Sequence, residues 1–320
     1  MSASFEFCES APAPHTHALE GALLINNLDI LDPLFREAVS AIDAGDVSAL
    51  ERLLSAHPRL VRERLDSPGV WLRDKASNAL DGFFRQPYLL WFVAEDPVRN
   101  DKLPRNIAQA TRAIIQTAKR EGVNTLQEQL DYALRLVAWS WVARKCEVQI
   151  ELIDVLIDAG ASPDGNPNNA LVNGNFAAAE YLVQRGAKLT LATALCLERW
   201  DDITRLAPTA SASEKQFGFI LAALNGKAEA LRRIIDLGID LNRPSADLYS
   251  NATALHHAVC SGSLETVKLL VEVGAELGTK DRAWNATPLE WAEHYIREAK
   301  GDDAGKQYPE IAAYLREMSK

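Results

Sequence analysis

The chain has 320 residues, 48% hydrophobic and 24% charged, the composition of a folded protein rather than a disordered one. Its formal charge of −10 opposes non-specific attachment to nucleic acid or anionic lipid and favours protein partners, basic ones in particular. MSASFEFCES at the start lacks a basic stretch followed by an apolar one, and LRLVAWSWVA (134–143) is too short to span a bilayer, so a cytoplasmic protein without a membrane contact is expected.

Residues 1–32 alternate Ala and Pro without a clear period and are expected to form an arm, ordered in part, in which His15 and His17 offer at most an adventitious metal site. Residues 66–148 are the least regular part. They hold an aromatic cluster (Trp71, Phe83, Phe84, Tyr88, Trp91, Phe92, Trp139, Trp141) and a polar insertion, EDPVRNDKLPR (95–105), whose Arg99, Asp101, Lys102 and Arg105 form a rim beside it. LQEQLDYALRLVAWSWVARKCEVQ (126–149) reads as one unusually long helix. Beyond it, apolar helices recur and each stops at a glycine: Gly160, Gly186, Gly238 and Gly274, spaced by 26, 52 and 36 residues. Between them the inter-helix turns are placed at 173–174, 200–201, 225–226 and 261–262, so that two antiparallel helices per unit account for residues 128–320. Cys8, Cys146, Cys196 and Cys260 form no CxxC pair; three sit in apolar helical patterns and read as core residues in a reducing compartment.

NATALHHAVCSGSLETVKLLVEVGAEL (251–277) resembles the ankyrin repeat, whose TPLHxA signature stands here as Thr253, Ala254, Leu255, His256, His257 and Ala258, and again in ATPLEWAE (286–293). AVSAIDAGDVSALERLLSAHPRLV (38–61) resembles a first unit of the same kind, and QPYLLWFVAED (86–96) a degenerate one. The resemblance implies an all-α ankyrin-repeat solenoid of about seven to eight helix-turn-helix units over 33–320, with few or short hairpins. Its first unit is 33–65. Irregular units with the insertion follow over 66–148, shortened units over 148–250, and consensus-like units with a cap over 251–320.

By the same resemblance His256 bonds within its turn, with Thr253 as partner and Thr287 in the equivalent place one unit on. The position after it is expected to face the concave side, so His257, Trp291 and, in the second unit, Trp91 form a candidate partner-binding stripe. Glu290 and His294 lie one helical turn apart and, with Glu293, form an alternative pocket. The chain has no HExxH, GxxxxGK[ST], GxGxxG or GxSxG, so no catalytic residue, cofactor or metal is assigned. A protein-binding scaffold is the leading function. An enzyme or small-molecule binder built on the insertions, and a self-associating structural protein, remain the alternatives.

Overall fold

In the computed structural model, residues 31–94, 101–245, 248, 251–298 and 305–320 are described. Most of the expected arm, with Cys8, His15 and His17, lies outside them, as do Arg99 and parts of the 95–105 and 297–310 segments. The protein is all-α, and no strand forms among the described residues. The described residues divide after Pro163 into two compact units.

In the N-terminal unit, α1 (Leu31–Ala44) and α2 (Val47–Ala56) are followed by a 3₁₀ turn at Pro58–Val61 and by α3 (Val70–Asp81). A second 3₁₀ turn, Leu89–Val93, precedes α4 (Ile107–Arg120), α5 (Leu126–Trp139), α6 (Trp141–Lys145) and α7 (Gln149–Ala159). Two expectations are corrected here. The single long helix over 126–149 is broken at Ser140, which is extended, caps α6 by accepting from Ala143 N–H (3.0 Å) and donates to the Ala94 carbonyl (2.9 Å). The degenerate signature helix near residue 90 is only a 3₁₀ turn, and all five of its side chains are buried. Phe84 and Phe92 fill the centre at 4.9 Å, Phe35 and Trp71 flank Phe92, and Asp32 fixes Trp71 by accepting its Nε1–H at 2.7 Å.

Among the described residues the C-terminal unit has five helix pairs: α8/α9 (Asn166–Val172, Phe176–Gln184), α10/α11 (Leu191–Cys196, Trp200–Leu206), α12/α13 (Ala212–Leu224, Ala228–Ile234), α14/α15 (Ala254–Ser261, Leu264–Glu272) and α16/α17 (Pro288–Glu298, Tyr308–Met318). The first helices of successive pairs pack side by side, as do α13, α15 and α17. Close stacking needs small residues: a Cβ on Gly218 of α12 would sit 3.0 Å from Leu195 Cδ1 and 3.3 Å from Ala192 Cα of α10.

One turn recurs inside the pairs. A left-handed residue follows a buried alanine by four positions, and the next N–H returns to that alanine's carbonyl. It is seen at Ala41–Asp46, Ala118–Val123, Ala143–Val148, Ala170–Asn175, Ala194–Arg199 and Ala222–Lys227, at 2.9–3.1 Å. The left-handed residue is glycine at 45, 122, 174 and 226, but glutamate at 147 and 198. The turn expected at Trp200-Asp201 is therefore three residues earlier, because Glu198 takes the position a glycine would have marked. Gly160, Gly186, Gly238 and Gly274 all have φ between +78° and +118°, and at 160, 186 and 274 the following alanine N–H closes on Leu156, Leu182 and Leu270. Connections after α9 and α11 are short, whereas those after α13 and α15 run from Gly238 to Thr253 and from Gly274 to Thr287.

Candidate interaction surface

The last two pairs are joined through one histidine and one aspartate. Thr253 precedes α14, and His256 Nδ1 lies 3.3 Å from the Thr253 N–H and 2.8 Å from its hydroxyl. A backbone N–H can only donate, so Nδ1 is the unprotonated nitrogen, and Nε2–H donates to the Ala286 carbonyl at 3.0 Å. Burial holds the imidazole below its ordinary pKa, partly offset by the Ala286 bond and the Asp281 charge. Asp281 is itself buried and accepts four donors: the N–H groups of Ala283 (2.8 Å), Trp284 (2.7 Å) and Ala286 (3.1 Å), and Trp291 Nε1–H (3.0 Å). These bonds shape the hairpin over 279–286.

The expected partner-binding stripe is corrected by this packing. Trp91, His257 and Trp291 are 4%, 1% and 6% exposed. α14 packs against both α12 and α16, so the position after His256 has no open side, and Trp291 meets both histidine rings edge-on at 5.2 and 6.2 Å. Trp91 lies against Tyr132 and Tyr88, with the Arg64 guanidinium 5.1 Å from its ring. Neither Trp91 Nε1–H nor His257 Nε2 finds a hydrogen-bond partner among the described residues, and burial pushes His257 down to about 3.

Nor do Glu290, Glu293 and His294 converge on a pocket. Glu290 caps α16: one of its oxygens accepts from the Thr287 N–H (2.7 Å) and hydroxyl (2.9 Å), which holds its carboxyl below the usual range. Glu293 pairs with Arg316 at 2.8 Å, and His294 faces solvent. Among the described residues no group of three or more His, Cys, Asp or Glu side chains is placed to hold a metal, and no helix is long and apolar enough to cross a membrane.

The family of the repeats follows from comparison with known proteins. Residues 202–281 match the family model described as ankyrin repeats (3 copies). These residues are ankyrin repeats. Over 67 residues, 21% of this chain, the protein is 42% identical to "Serine/threonine-protein kinase 12" of Arabidopsis thaliana and 45% identical to "Protein phosphatase 1 regulatory subunit 27" of Homo sapiens. The shared segment is 14% of the kinase and 35% of the regulatory subunit, so the likeness is confined to a minor part of both relatives. Ankyrin repeats as a class mediate protein–protein interaction.

Within the ankyrin unit, the second helices and the turns that lead into them carry ion pairs that satisfy one another: Lys227–Glu198 (2.8 Å), Arg199–Asp202 (2.9 Å) and Arg232–Glu265 (3.0 Å). The hairpin is different. At its tip Trp284 is 45% exposed, with its ring edge on Trp291 at 5.5 Å and its N–H held by Asp281, and Lys280, Arg282 and Asn285 are exposed around it. Sequence reasoning missed both Trp284 and Asp281. The available signal was a tryptophan in the polar stretch between a helix-ending glycine and the next signature threonine, three residues after an aspartate.

Proposed function

We propose that the protein is an interaction adaptor whose ankyrin unit holds a partner at the hairpin over 279–286. The observation that carries this reading is Trp284: a large, half-exposed aromatic ring on a turn already fixed by Asp281. Such a residue gains contact area with little ordering cost, which is how a few tryptophans dominate interface energetics. The neighbouring candidates support it by default, since Glu290 and Glu293 serve a cap and an ion pair and leave no acid–base couple for catalysis. The kinase and phosphatase relatives contribute the module to this reading and not their activities. The free thiols of Cys146, Cys196 and Cys260 fit a reducing compartment, the cytoplasm.

The test is affinity capture with the full chain, comparing the native protein with Trp284→Ala and, as a control on the outer face, Glu265→Ala. A protein retained by the native chain and by Glu265→Ala but lost with Trp284→Ala is the expected result. Equal recovery by all three would remove the hairpin as the contact surface.

A further inference from the structure

The N-terminal unit carries a charge pattern opposite to that of the chain as a whole. Residues 102–146 contain eight Lys and Arg against three Asp and Glu, a balance of +5 in a chain of −10. The three carboxylates are largely engaged: Glu121 pairs with Arg62 at 3.0 Å and more loosely with its neighbour Arg120 at 3.6 Å, Glu128 pairs with Arg64, and Asp131 accepts from the Gln127 side chain and the Ser162 N–H. The cations themselves are exposed.

Their arrangement is set by α4. Nine of its residues are buried, all of them Ala, Ile or Thr, and the helix is held between α2 and α7. What it exposes is Gln109, Arg112, Gln116, Lys119 and Arg120, and Arg105 continues the same line one turn before the helix. Positions 105, 109, 112, 116 and 119 follow the helical repeat, so they form one strip, about 20 Å long, of cations separated by neutral amides. Lys102 and Lys145 extend it, since the Leu103 N–H lies 3.3 Å from Cys146 Sγ and brings the two segments together. Arg105 and Lys119 have no ion-pair partner among the described residues, and Arg112 reaches Glu151 only at 3.4 Å.

We infer that this strip is a second interaction surface, distinct from the hairpin, and that its partner is an acidic protein segment about four helical turns long. Charge fixes the sign of the partner and width fixes its class. The strip is one helix wide, and the helices packed on either side of α4 carry exposed carboxylates: Glu51 on α2, and Glu151, 3.4 Å from Arg112, and Asp158 on α7. A membrane or a nucleic-acid duplex is broader and would meet those carboxylates together with the cations. An acidic helix lying along α4 meets the cations alone, with Gln109 and Gln116 free to bond its polar side chains. Electrostatic contacts of this kind set register and encounter rate more than affinity, so binding is salt-sensitive.

The experiment uses the full chain and fluorescent probes: a four-turn helical peptide with glutamates along one face, the same peptide with glutamine in their place, a DNA duplex, and phosphatidylserine vesicles. The acidic peptide is expected to bind and the glutamine peptide not to. Affinity is expected to fall about tenfold or more in the Arg112→Glu, Lys119→Glu chain, and similarly between about 50 and about 300 mM salt. Trp284→Ala is expected to change nothing in this assay. Undiminished binding by the charge-reversed chain, loss of binding in Trp284→Ala, or tighter binding of duplex or vesicle than of peptide would each overturn the proposal. Should the reversed chain fail to fold by circular dichroism, Arg112→Gln, Lys119→Gln carries the same test. The hairpin reading stands or falls separately, on the capture experiment.

Discussion

In the C-terminal unit, four helix pairs are closed by short inner turns and stack through small first helices. In the N-terminal unit α1/α2, α4/α5 and α6/α7 share that kind of turn. Between α2 and α4, where a first helix would stand, the chain places the buried 3₁₀ turn Leu89–Val93 and a cluster of aromatic rings. The difference shows two ways of filling one architecture. Regular pairs spread the core over many Ala, Leu and Val contacts, so each position is worth little alone and each defect is local. An irregular junction concentrates the core in a few large rings, so single truncations there are costly.

The largest expected effect follows directly. Phe84 is fully buried and meets Phe92 at 4.9 Å and Phe83 and Trp91 at wider spacing. Phe84→Ala should cost about 3–5 kcal/mol, read as a shift in urea midpoint. A loss under about 1.5 kcal/mol would mean that the cluster relaxes around the cavity, and the contrast between the units would fail.

Next is Asp281, the polar counterpart in the ankyrin unit. Asp281→Ala removes the acceptor of four donors and should cost about 3 kcal/mol, with Asp281→Asn between it and the native chain. Because repeats unfold locally, amide exchange should rise in α14–α17 while the amides of α8–α11 stay protected. Uniform loss across all five pairs would show that the unit unfolds as one block, against the distributed core argued above.

These two regions also differ in how far the sequence disclosed them. Glycine-ended helices with apolar faces give the C-terminal pairs directly, because backbone geometry there demands glycine. The turn at 197–199 was displaced in that reading because Glu198 adopts the left-handed conformation without being glycine, yet the alanine four residues earlier marks it as it marks 45, 174 and 226. The break at Ser140 and the 3₁₀ turn near Trp91 depend on distant partners, the Ala94 carbonyl and the surrounding rings, and leave no local periodic signal. His257 and Trp291 read as surface residues because one repeat cannot reveal that its neighbours close over the position after the signature histidine. Trp284 stayed hidden for the opposite reason: its loop had no period to read.

Acid should separate the units further. His257 titrates near 3 in the folded chain, against 6.5 when free, and His256 is shifted in the same direction. The unfolded chain therefore binds protons below about 6.5 that the folded chain refuses. Stability is complete above that pH and falls, by up to about 1.4 kcal/mol per pH unit for His257, as pH drops toward 3, and the downward shift of His256 acts in the same direction. No histidine of the N-terminal unit is buried among the described residues, so this contribution belongs to the ankyrin unit. His257→Leu removes an unpartnered buried nitrogen and should be within about 1 kcal/mol of the native chain at neutral pH. It should also lose less stability between neutral pH and pH 4.5. Parallel losses in both proteins would exclude His257 as the source.

The smallest effect bears most closely on whether the shared turn is physically the same turn in both kinds of pair. Glu198 has φ of +53°, where Gly174 and Gly226 have +63° and +66°. A side chain in that conformation costs about 1 kcal/mol or somewhat more, and the Lys227 ion pair, which is partly exposed, returns only a fraction of this. Glu198→Ala keeps the strain and loses the pair, so it should be slightly destabilising. Glu198→Gly loses the pair and relieves the strain, and should be the more stable of the two by about 1 kcal/mol. Comparing the two variants cancels the ion pair and isolates the backbone. Gly226→Ala should then lose a similar amount, with a small addition because its Cβ would meet Ser263 Cβ at 3.1 Å. If Glu198→Gly gains nothing over Glu198→Ala while Gly226→Ala is costly, the pairs share a hydrogen-bond pattern but not its energetics, and the glutamate turns at 147 and 198 are a separate solution rather than a strained copy.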